Sequence, residues 1–283
     1  FRMKKSLSVL LIVGILIASM NIVGFAFDSS RLIDVISREA GSGTRGAFIE
    51  LLGIEAKTDA GTVDRTTIEA IIANGTDVVL ASVANNPHAI GYISLGSLDS
   101  RVKALNVDGV APTQENIAEG KYKVARPFNI AFKDGLSAVA QDFVDYIMSA
   151  EGQAIVSGSY IPVVNGEPFV TDKPSGRVVV AGSTSVSPLM EKLQEGYAKF
   201  NPNAIIEIQS SGSSAGMISA IEGTSDIGMA SRELSASEQG LLNYLVIAQD
   251  GIAVIVNNDN LKDNVTAEEL RDIYIGEITR WSF

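Results

Sequence analysis

The sequence predicts an α/β fold, in which strands and helices alternate along the chain. The first observation is a unit of strand, glycine-rich loop and helix, which occurs three times, beginning near residues 32, 178 and 205. The second is the composition, because 46% hydrophobic and 19% charged residues are ordinary for a globular protein. The third is the length of 283 residues, which suffices for two modest lobes or one large domain.

The first unit contains the loop Arg38–Arg45, whose sequence is Arg-Glu-Ala-Gly-Ser-Gly-Thr-Arg. It follows an apolar run, Leu32–Ile36, that predicts a strand, and it precedes Ala47–Leu52, which predicts a helix. Two glycines let the loop backbone approach a ligand closely. The first amides of the helix lack intrahelical partners and lie at the positive end of the helix dipole.

The side chains of this loop favour the binding of a small oxyanion. Ser42 and Thr44 add hydroxyl donors, and Arg38 and Arg45 add fixed positive charge. The alternative is a Gly/Ser turn with an N-cap, which explains the glycines but not the two arginines that bracket them. The loop therefore predicts an anion site.

The same pattern recurs in the second half of the chain. The run Val178–Val180 precedes the loop Gly182–Ser187, and Pro188 suits a first helical position. The run Ile205–Ile208 precedes the loop Ser210–Gly216 and a further helix. Neither loop has the Gly-Lys-Ser/Thr of a nucleotide-binding P-loop. Each loop alone is a common capped turn, but open α/β sheets gather such loops at one ligand site.

Hydrophobic periodicity and turn residues predict the remaining elements. Strands are predicted at Val78–Val83, Ala89–Ser94, Val102–Val107, Asp226–Glu233 and Asp250–Val256. Helices are predicted after Gly61–Asp64 with Ile68, Ile71 and Ile72 on one face, at Gln141–Ile155, and from the capping box that opens at Thr266. The segment Val163–Arg177, rich in glycine and proline, predicts a linker.

Charge and cysteine content exclude several function classes. A net charge of −11 argues against a nucleic-acid partner, since phosphate backbones are held by clustered Lys and Arg. The chain has no cysteine and one histidine, which excludes disulfides, thiolate catalysis and a Cys/His zinc site. His88 is interpreted as a loop residue. We therefore expect no cofactor and no metal, and a phosphotransfer or phosphoester-cleaving enzyme is disfavoured.

The N-terminus predicts a location outside the cytoplasm. Arg2, Lys4 and Lys5 precede an apolar run, Leu7–Phe27, that resembles a secretory signal with small residues near Ala26. The run is also just long enough to span a bilayer, so an uncleaved anchor at residues 1–27 stays open.

Several motifs together resemble the phosphate-binding periplasmic or extracellular subunits of ABC importers. The motifs are Arg38–Thr44, Gly91-Tyr92, Tyr122–Pro127, Ala181–Pro188, Ser211–Ser214, Ser225–Gly228, Ser231–Leu234 and Gly276–Trp281. The resemblance implies a two-lobed periplasmic-binding-protein fold of type 2, in which the lobes are joined by crossovers and close on one oxyanion. It also implies a non-enzymatic protein that delivers inorganic phosphate to a membrane permease. We expect a monomer.

The order of these motifs departs from that family. There the Ser-Thr-Ser segment comes first, whereas here Arg38–Thr44 precedes Ala181–Pro188. The order indicates a circular permutation of the family domain. The alternatives are a segment cut from a tandem of two such domains and an incomplete reading frame. Domain termini often lie close together, so permutation is physically reasonable.

Mapped onto this order, the resemblance divides the chain into two lobes. One lobe comprises residues 128–162 and 178–256, with residues 163–177 as the linker between these two parts. The other lobe comprises residues 28–127 and 257–283. The crossovers are expected near Ala125–Pro127 and Val256–Asn258.

The resemblance also implies which residues contact phosphate. They are Arg38, Ser42, Gly43, Thr44, Thr184, Ser185, Ser213 and Ser231. Arg38 is the natural bidentate partner, and Arg45 and Arg232 fit surface or interlobe ion pairs equally well. Relatives commonly have an aspartate at the position of Ser231. Such a carboxylate accepts the proton of hydrogen phosphate and rejects sulfate, which has no proton. Sulfate or molybdate is therefore an alternative ligand, and a membrane-tethered phosphate sensor is an alternative function.

Overall fold

A computed structural model describes residues 27–58 and 61–283. The predicted signal or anchor, residues 1–27, lies outside the described residues except for Phe27. The strands are β1 (Asp34–Arg38), β2 (Glu55–Thr58), β3 (Gly61–Asp64), β4 (Ile71–Ala73), β5 (Ala89–Ser94), β6 (Val102–Ala104), β7 (Asn106–Val107), β8 (Ala125–Phe132), β9 (Gly176–Gly182), β10 (Ala204–Ser210), β11 (Ile227–Ala230), β12 (Asn243–Asn257) and β13 (Asn264–Val265). The helices are α1 (Gly43–Leu51), α2 (Thr76–Ala84), α3 (Gln114–Ala118), α4 (Ala138–Met148), α5 (Ala150–Val156), α6 (Ser187–Tyr197), α7 (Ser213–Glu222), α8 (Ala236–Gln239) and α9 (Ala267–Ile275).

One sheet runs through the molecule in the order β10-β9-β11-β8-β12-β5-β1-β4, with β6 also paired to β12. β9 is parallel to both β10 and β11, and β1 is parallel to both β4 and β5. The long strand β12 pairs antiparallel with β8 along its first part and with β5 along its second. The carboxyl ends of β1, β9 and β10 each lead into a loop and the N-terminus of a helix.

Two hydrophobic cores lie on either side of the middle of β12. Ile247 and Ala248 pack in one core, with residues of α4, α6 and β9. Ile252 and Val254 pack in the other, with residues of α1, β5 and α9. The predicted two-lobed α/β fold is confirmed. We propose that β12 crosses between the lobes at residues 249–251, where it pairs with residues 125–127 of β8, rather than near Val256–Asn258.

Two of the predicted elements are wrong. Val78–Val83 was predicted as a buried strand but lies in helix α2, because a short apolar run fits a buried helix as well as a buried strand. The helix predicted to open at Gly61–Asp64 is not formed: Gly61–Asp64 is strand β3, which pairs antiparallel with β2, and Ile71–Ala73 is strand β4, which pairs with β1. The periodicity of Ile68, Ile71 and Ile72 was misleading, since all three side chains are half or more exposed.

Other predicted elements are confirmed, although one predicted helix is divided into two. Ala89–Ser94 forms β5, and Thr266 opens α9 with a capping box to Glu269. The helix predicted at Gln141–Ile155 is divided into α4 and α5. Ser149 stands between them, accepting a hydrogen bond from Gly152 N at 3.2 Å as the N-cap of α5.

The segment predicted as a linker, residues 163–177, lies across α4 and α5. Ala150 N donates to Glu167 O at 2.9 Å, and the rings of Phe169 and Tyr146 lie 5.1 Å apart between centroids. Thr171 Oγ1 donates to Asp142 Oδ2 at 2.8 Å. The segment is therefore an ordered strap along one lobe.

The first and last described segments of the chain are neighbours in space. Leu32 forms an antiparallel bridge with Arg280, and Ile33 N donates to Thr279 O at 2.9 Å. Trp281 Nε1 donates to His88 O at 2.9 Å. Within residues 27–58 and 61–283, no helix combines the length and apolar character needed to cross a membrane.

Candidate functional site

Three loops and the end of β11, which Ser231 follows, meet between the lobes and bring all eight predicted site residues together. The loops precede α1, α6 and α7, and Ser42 caps α1 by accepting a hydrogen bond from Arg45 N at 3.3 Å. Seven of the eight residues are buried, and Thr184 is partly buried. The loops that were predicted to gather at the carboxyl ends of the strands therefore lie together in the folded chain.

Arg38 is the central cation of the site. Its Nε and Nη2 atoms each donate to the Glu39 carboxylate at 2.7 Å, and Nη2 also donates to Thr184 Oγ1 at 2.9 Å. Its backbone N–H donates to Tyr92 Oη at 3.1 Å. Only 2% of the Arg38 side chain is exposed. The guanidinium is thus held in one orientation between the lobes.

Glu39 is the partner of Arg38 in the cleft and was not among the predicted site residues. Burial raises the pKa of its carboxyl, but the hydrogen bonds and charge of Arg38 outweigh burial and leave the pKa below its ordinary value. Glu39 also accepts from Gly75 N at 3.1 Å. Its position directly after Arg38 in the loop was the available signal.

Hydroxyl groups connect the two lobes beside Arg38. Thr44 Oγ1 lies 2.8 Å from Ser185 Oγ, and Thr76 Oγ1 lies 3.3 Å from the same atom. Thr76 begins α2, whose N-cap Gly75 supplies no side-chain cap. A cavity of about 380 Å³ is lined by both Thr76 and Thr184. Thr76 was missed because α2 had been predicted as a strand.

A second cluster of hydroxyl groups lies in the same cleft. Ser183 Oγ donates to Ser231 Oγ at 2.9 Å, and Ser231 N donates to Ser213 Oγ at 3.1 Å. The Oγ atoms of Ser213 and Ser231 are 3.4 Å apart. All three side chains are buried. Ser183 belongs to the hydroxyl-rich loop before α6, but the sequence analysis did not select it.

Gly43 faces these serines from the opposite lobe. A Cβ atom at this position would lie 2.3 Å from Ser213 Oγ and 2.8 Å from Ser231 Oγ. Ser214 N also donates to Gly41 O across the cleft at 3.1 Å. The helix α1 therefore presents its first amides to the serines at a distance that only glycine permits.

A buried ion pair joins β8 to β12 next to Ser231. Arg126 Nη2 donates to Asp250 Oδ2 at 3.2 Å, and Arg126 Nη1 donates to the Ser231 carbonyl at 2.9 Å. Ser94 Oγ donates to the other Asp250 oxygen at 3.0 Å. Burial raises the pKa of Asp250 to about 6, although the charge of Arg126 opposes this shift.

The two other arginines near the loops form ion pairs of their own. Arg45 pairs with Asp64 at 2.7 Å and donates to the Arg38 carbonyl at 2.7 Å. Arg232 pairs with Glu238 at 2.8 Å. Arg45 thus stabilises the loop backbone, and Arg38 is the arginine that reaches across the cleft.

The arrangement suits binding of an anion. Backbone N–H groups at helix N-termini, one guanidinium and several hydroxyls lie together where the lobes meet. In the described part of the chain, no group of three His, Cys, Asp or Glu side chains could hold a metal ion.

The fold and the site define a two-lobed solute-binding protein, and the sequence comparisons agree. A family model described as a PBP superfamily domain matches residues 27–151 and 169–283. The chain therefore belongs to the PBP superfamily.

Within that superfamily the chain is similar to phosphate-binding proteins. It is 48% identical to "Phosphate-binding protein PstS 2" of Streptococcus agalactiae, over 98% of this chain and 97% of the relative. It is also 48% identical to the protein of that name from Streptococcus pneumoniae, over 89% of this chain and 88% of the relative. The crystal structure of a phosphate-binding protein of a phosphate ABC transporter from S. pneumoniae TIGR4 superposes with a TM-score of 0.72 at 48% identity, covering 88% of this chain and 98% of that one. The chain belongs to this phosphate-binding family.

Proposed function

We propose that the protein captures inorganic phosphate outside the cytoplasm and delivers it to the membrane permease of an ABC importer. The observation that carries the proposal is the convergence of Arg38, the hydroxyl groups and three loops at one buried space between the lobes. The names of its relatives, phosphate-binding proteins, support the same ligand. The resemblance of residues 1–27 to a secretory signal supports the location, and retention of that segment would make the protein a tethered phosphate sensor.

The energetics of the site fit a small anion. A buried dianion must have its charge met by many donors. Hydrogen bonds to a charged group contribute roughly 1.5–3 kcal/mol each. Several of them, less the cost of association and closure, are consistent with micromolar binding or tighter, about −8 kcal/mol.

We also propose that Arg38, Ser42, Gly43, Thr44, Thr184, Ser185, Ser213 and Ser231 contact the ligand, and that the protein leaves it chemically unchanged. The site pairs a guanidinium with a carboxylate and hydroxyls with one another. It does not pair a hydroxyl with a base that could activate it.

Calorimetry on the purified protein tests this function. Phosphate is titrated with no metal added into wild type, Arg38→Lys and the matched control Arg45→Lys. Wild type should bind one phosphate per chain. Arg38→Lys keeps the charge but loses the planar fork, so affinity should fall at least about tenfold, which corresponds to ~1.4 kcal/mol. Arg45→Lys should change it less, because Arg45 pairs with Asp64 outside the cleft.

Two outcomes would contradict the proposal. Absence of heat with phosphate, beside clear heat from another anion, would exclude phosphate as the ligand. Equal affinities for wild type and Arg38→Lys would mean that Arg38 is not the anion-binding arginine.

We further propose that the order of the segments is a circular permutation of the family fold. The proximity of Leu32 to Arg280 supports it, because the usual family order would join these two segments directly. The strap at residues 163–177 would then connect the family's usual ends, and the family model is interrupted at residues 152–168, partly within it.

A further inference from the structure

Tyr92 lies in β5 and contacts the loop that begins with Arg38. It belongs to the motif Gly91-Tyr92 and is not one of the eight predicted contacts. Its side chain is fully buried, and its Oη atom accepts a hydrogen bond from Arg38 N at 3.1 Å and lies 2.9 Å from Ser37 Oγ. Burial raises the pKa of Tyr92 above its ordinary value, so the phenol stays neutral and keeps these contacts at neutral pH.

The ring of Tyr92 contacts the helix that follows the same loop. It stacks on Phe48 of α1, with 4.0 Å between the ring centroids and 12° between the ring planes. The ring of Tyr274 completes the cluster, 4.8 Å from that of Phe48 and 5.6 Å from that of Tyr92. The hydroxyl holds the first residue of the loop, and the ring packs against the helix after it. The loop between β1 and α1 is therefore held at both ends by one side chain.

The contact with Tyr92 differs from the other contacts of Arg38 in where the partner lies. Thr184 lies across the cleft, so its bond to the guanidinium depends on closure of the lobes. Glu39 is the next residue of the loop and moves with it. Tyr92 instead packs in the same hydrophobic core as Val35 of β1, and β5 pairs with β1. The bond to Tyr92 therefore persists whether the lobes are closed or apart.

We propose that Tyr92 is a positioning residue for phosphate binding, whose hydroxyl fixes the Arg38 backbone and thereby aims the guanidinium at the ligand. The proposal rests on the proposed function, because it concerns how the same arginine meets phosphate. A planar fork must approach an anion at a defined angle, and a group that is held in advance loses less freedom on binding. Tyr92 supplies this order from a rigid strand, before the ligand arrives.

The test is calorimetry with inorganic phosphate on wild type, Tyr92→Phe and the matched control Tyr122→Phe. Phenylalanine keeps the ring and its stacking on Phe48 and removes only the hydroxyl. Tyr92→Phe should lower phosphate affinity by about fivefold to thirtyfold. Tyr122 is also buried, and its Oη donates to the Ile252 carbonyl at 2.8 Å. Tyr122→Phe should lower the melting temperature as much as Tyr92→Phe does and leave phosphate affinity within about twofold of wild type.

A double-mutant cycle shows whether Tyr92 acts through Arg38. Arg38→Lys removes the planar fork, so the orientation that Tyr92 maintains no longer matters. Adding Tyr92→Phe to Arg38→Lys should therefore change phosphate affinity by less than about twofold. A merely structural role of Tyr92 would instead lower affinity by the same factor in both backgrounds.

Hydrogen exchange provides a measurement that needs no variant. Nuclear magnetic resonance on the ligand-free wild type should show the Arg38 amide exchanging at least about hundredfold more slowly than an unstructured amide, because its N–H is bonded to the buried Tyr92 hydroxyl. Exchange at the unstructured rate would overturn the proposal, even if Tyr92→Phe did not fold.

The outcomes separate the proposal from the function on which it rests. Equal affinities of wild type and Tyr92→Phe would overturn the role of Tyr92 and leave the proposed function standing. The same holds for an equal loss in Tyr122→Phe, or for an undiminished effect of Tyr92→Phe in the Arg38→Lys background. Failure of the wild type to bind phosphate would overturn the function itself.

Discussion

Gly43 is the residue at which the two lobes come closest, and it tests whether closure is required for binding. We expect Gly43→Ala to lower phosphate affinity by about tenfold to hundredfold, because its Cβ would overlap Ser213 Oγ and hold the lobes apart. We expect the lobes to stand apart when no ligand is bound, which removes this contact, so the melting temperature of the ligand-free protein should be nearly unchanged. Calorimetry and thermal unfolding measure the two quantities.

Gly46→Ala is the matched control on the same helix. Its Cβ would lie 3.6 Å from Arg232 Cδ, an ordinary contact, and alanine favours a helix over glycine by about 0.5–1 kcal/mol. Its phosphate affinity should equal that of wild type. An equal loss in both variants would mean that the effect comes from the helix and not from closure.

At the scale of single residues, the sequence predicted which residues lie at the candidate site better than it predicted which residues contact one another there. Arg38 and Thr44 were predicted from loop chemistry, since short glycine- and hydroxyl-rich segments have few local alternatives, whereas Ser185 was predicted from the resemblance to phosphate-binding subunits. Glu39 and Thr76 were missed. Their roles depend on contacts made at long range, such as the bond from Gly75 N to Glu39, which no local pattern encodes.

At the scale of elements, the crossing of β8 and β12 contains an acidic group with an unusual pKa. Burial raises the pKa of Asp250 to about 6, above its ordinary value of 3.8. The folded protein therefore binds this proton more tightly than the unfolded chain does. The resulting stability is fully present below about pH 3.8 and is lost as pH rises through about 6.

The variant Asp250→Asn tests this sign, because asparagine does not titrate. The free energy of unfolding of wild type, relative to Asp250→Asn, should fall by on the order of 1–3 kcal/mol as pH rises from about 4 to 6.5. Urea denaturation at several pH values measures it. A difference that stays constant or grows over this range would show that Arg126 dominates and that Asp250 remains ionised.

Asp64→Asn is the matched control, because it also removes a carboxylate that pairs with an arginine. Burial acts on Asp64 too, but hydrogen bonds from Thr66 and the charge of Arg45 hold its pKa below the ordinary value. Its stabilising contribution is present above its unfolded pKa and is lost as pH falls. The wild-type advantage over Asp64→Asn should therefore change with pH in the opposite direction.

The elements also show where sequence patterns are ambiguous. The capping box at Thr266 and the strand Ala89–Ser94 were predicted correctly, because side-chain capping and a bounded apolar run act locally. The apolar run at Val78–Val83 has no local feature that separates helix from strand, and its packing against β5 decides the outcome. The hairpin of β2 and β3 likewise depends on cross-strand pairing.

At the scale of the whole molecule, the sequence shows that the order of the segments is unusual. It does not show whether one chain completes the fold. A domain swap between two chains is the alternative to a permutation, and it would make stability depend on concentration. Within the described residues, both halves of the site and both cores are built by one chain. We therefore expect a monomer that binds one phosphate, with a melting temperature that is independent of protein concentration over about a hundredfold range.

A variant with the usual family order tests the permutation directly. The chain is opened at Lys173 within the strap, residues 1–26 are placed before Pro174, and Phe283 is joined to Phe27 by a short Gly/Ser link. The join is feasible because the ring of Trp281 lies 5.9 Å from that of Phe27 and 6.2 Å from that of Phe283. Four added residues reach roughly 13 Å at about 3.3 Å each. The variant should be monomeric by light scattering and should bind phosphate within about threefold of wild type. A wild-type dimer whose phosphate binding disappears on dilution, together with a variant that does not bind, would mean that the fold is completed by two chains and that the order reflects a tandem fragment.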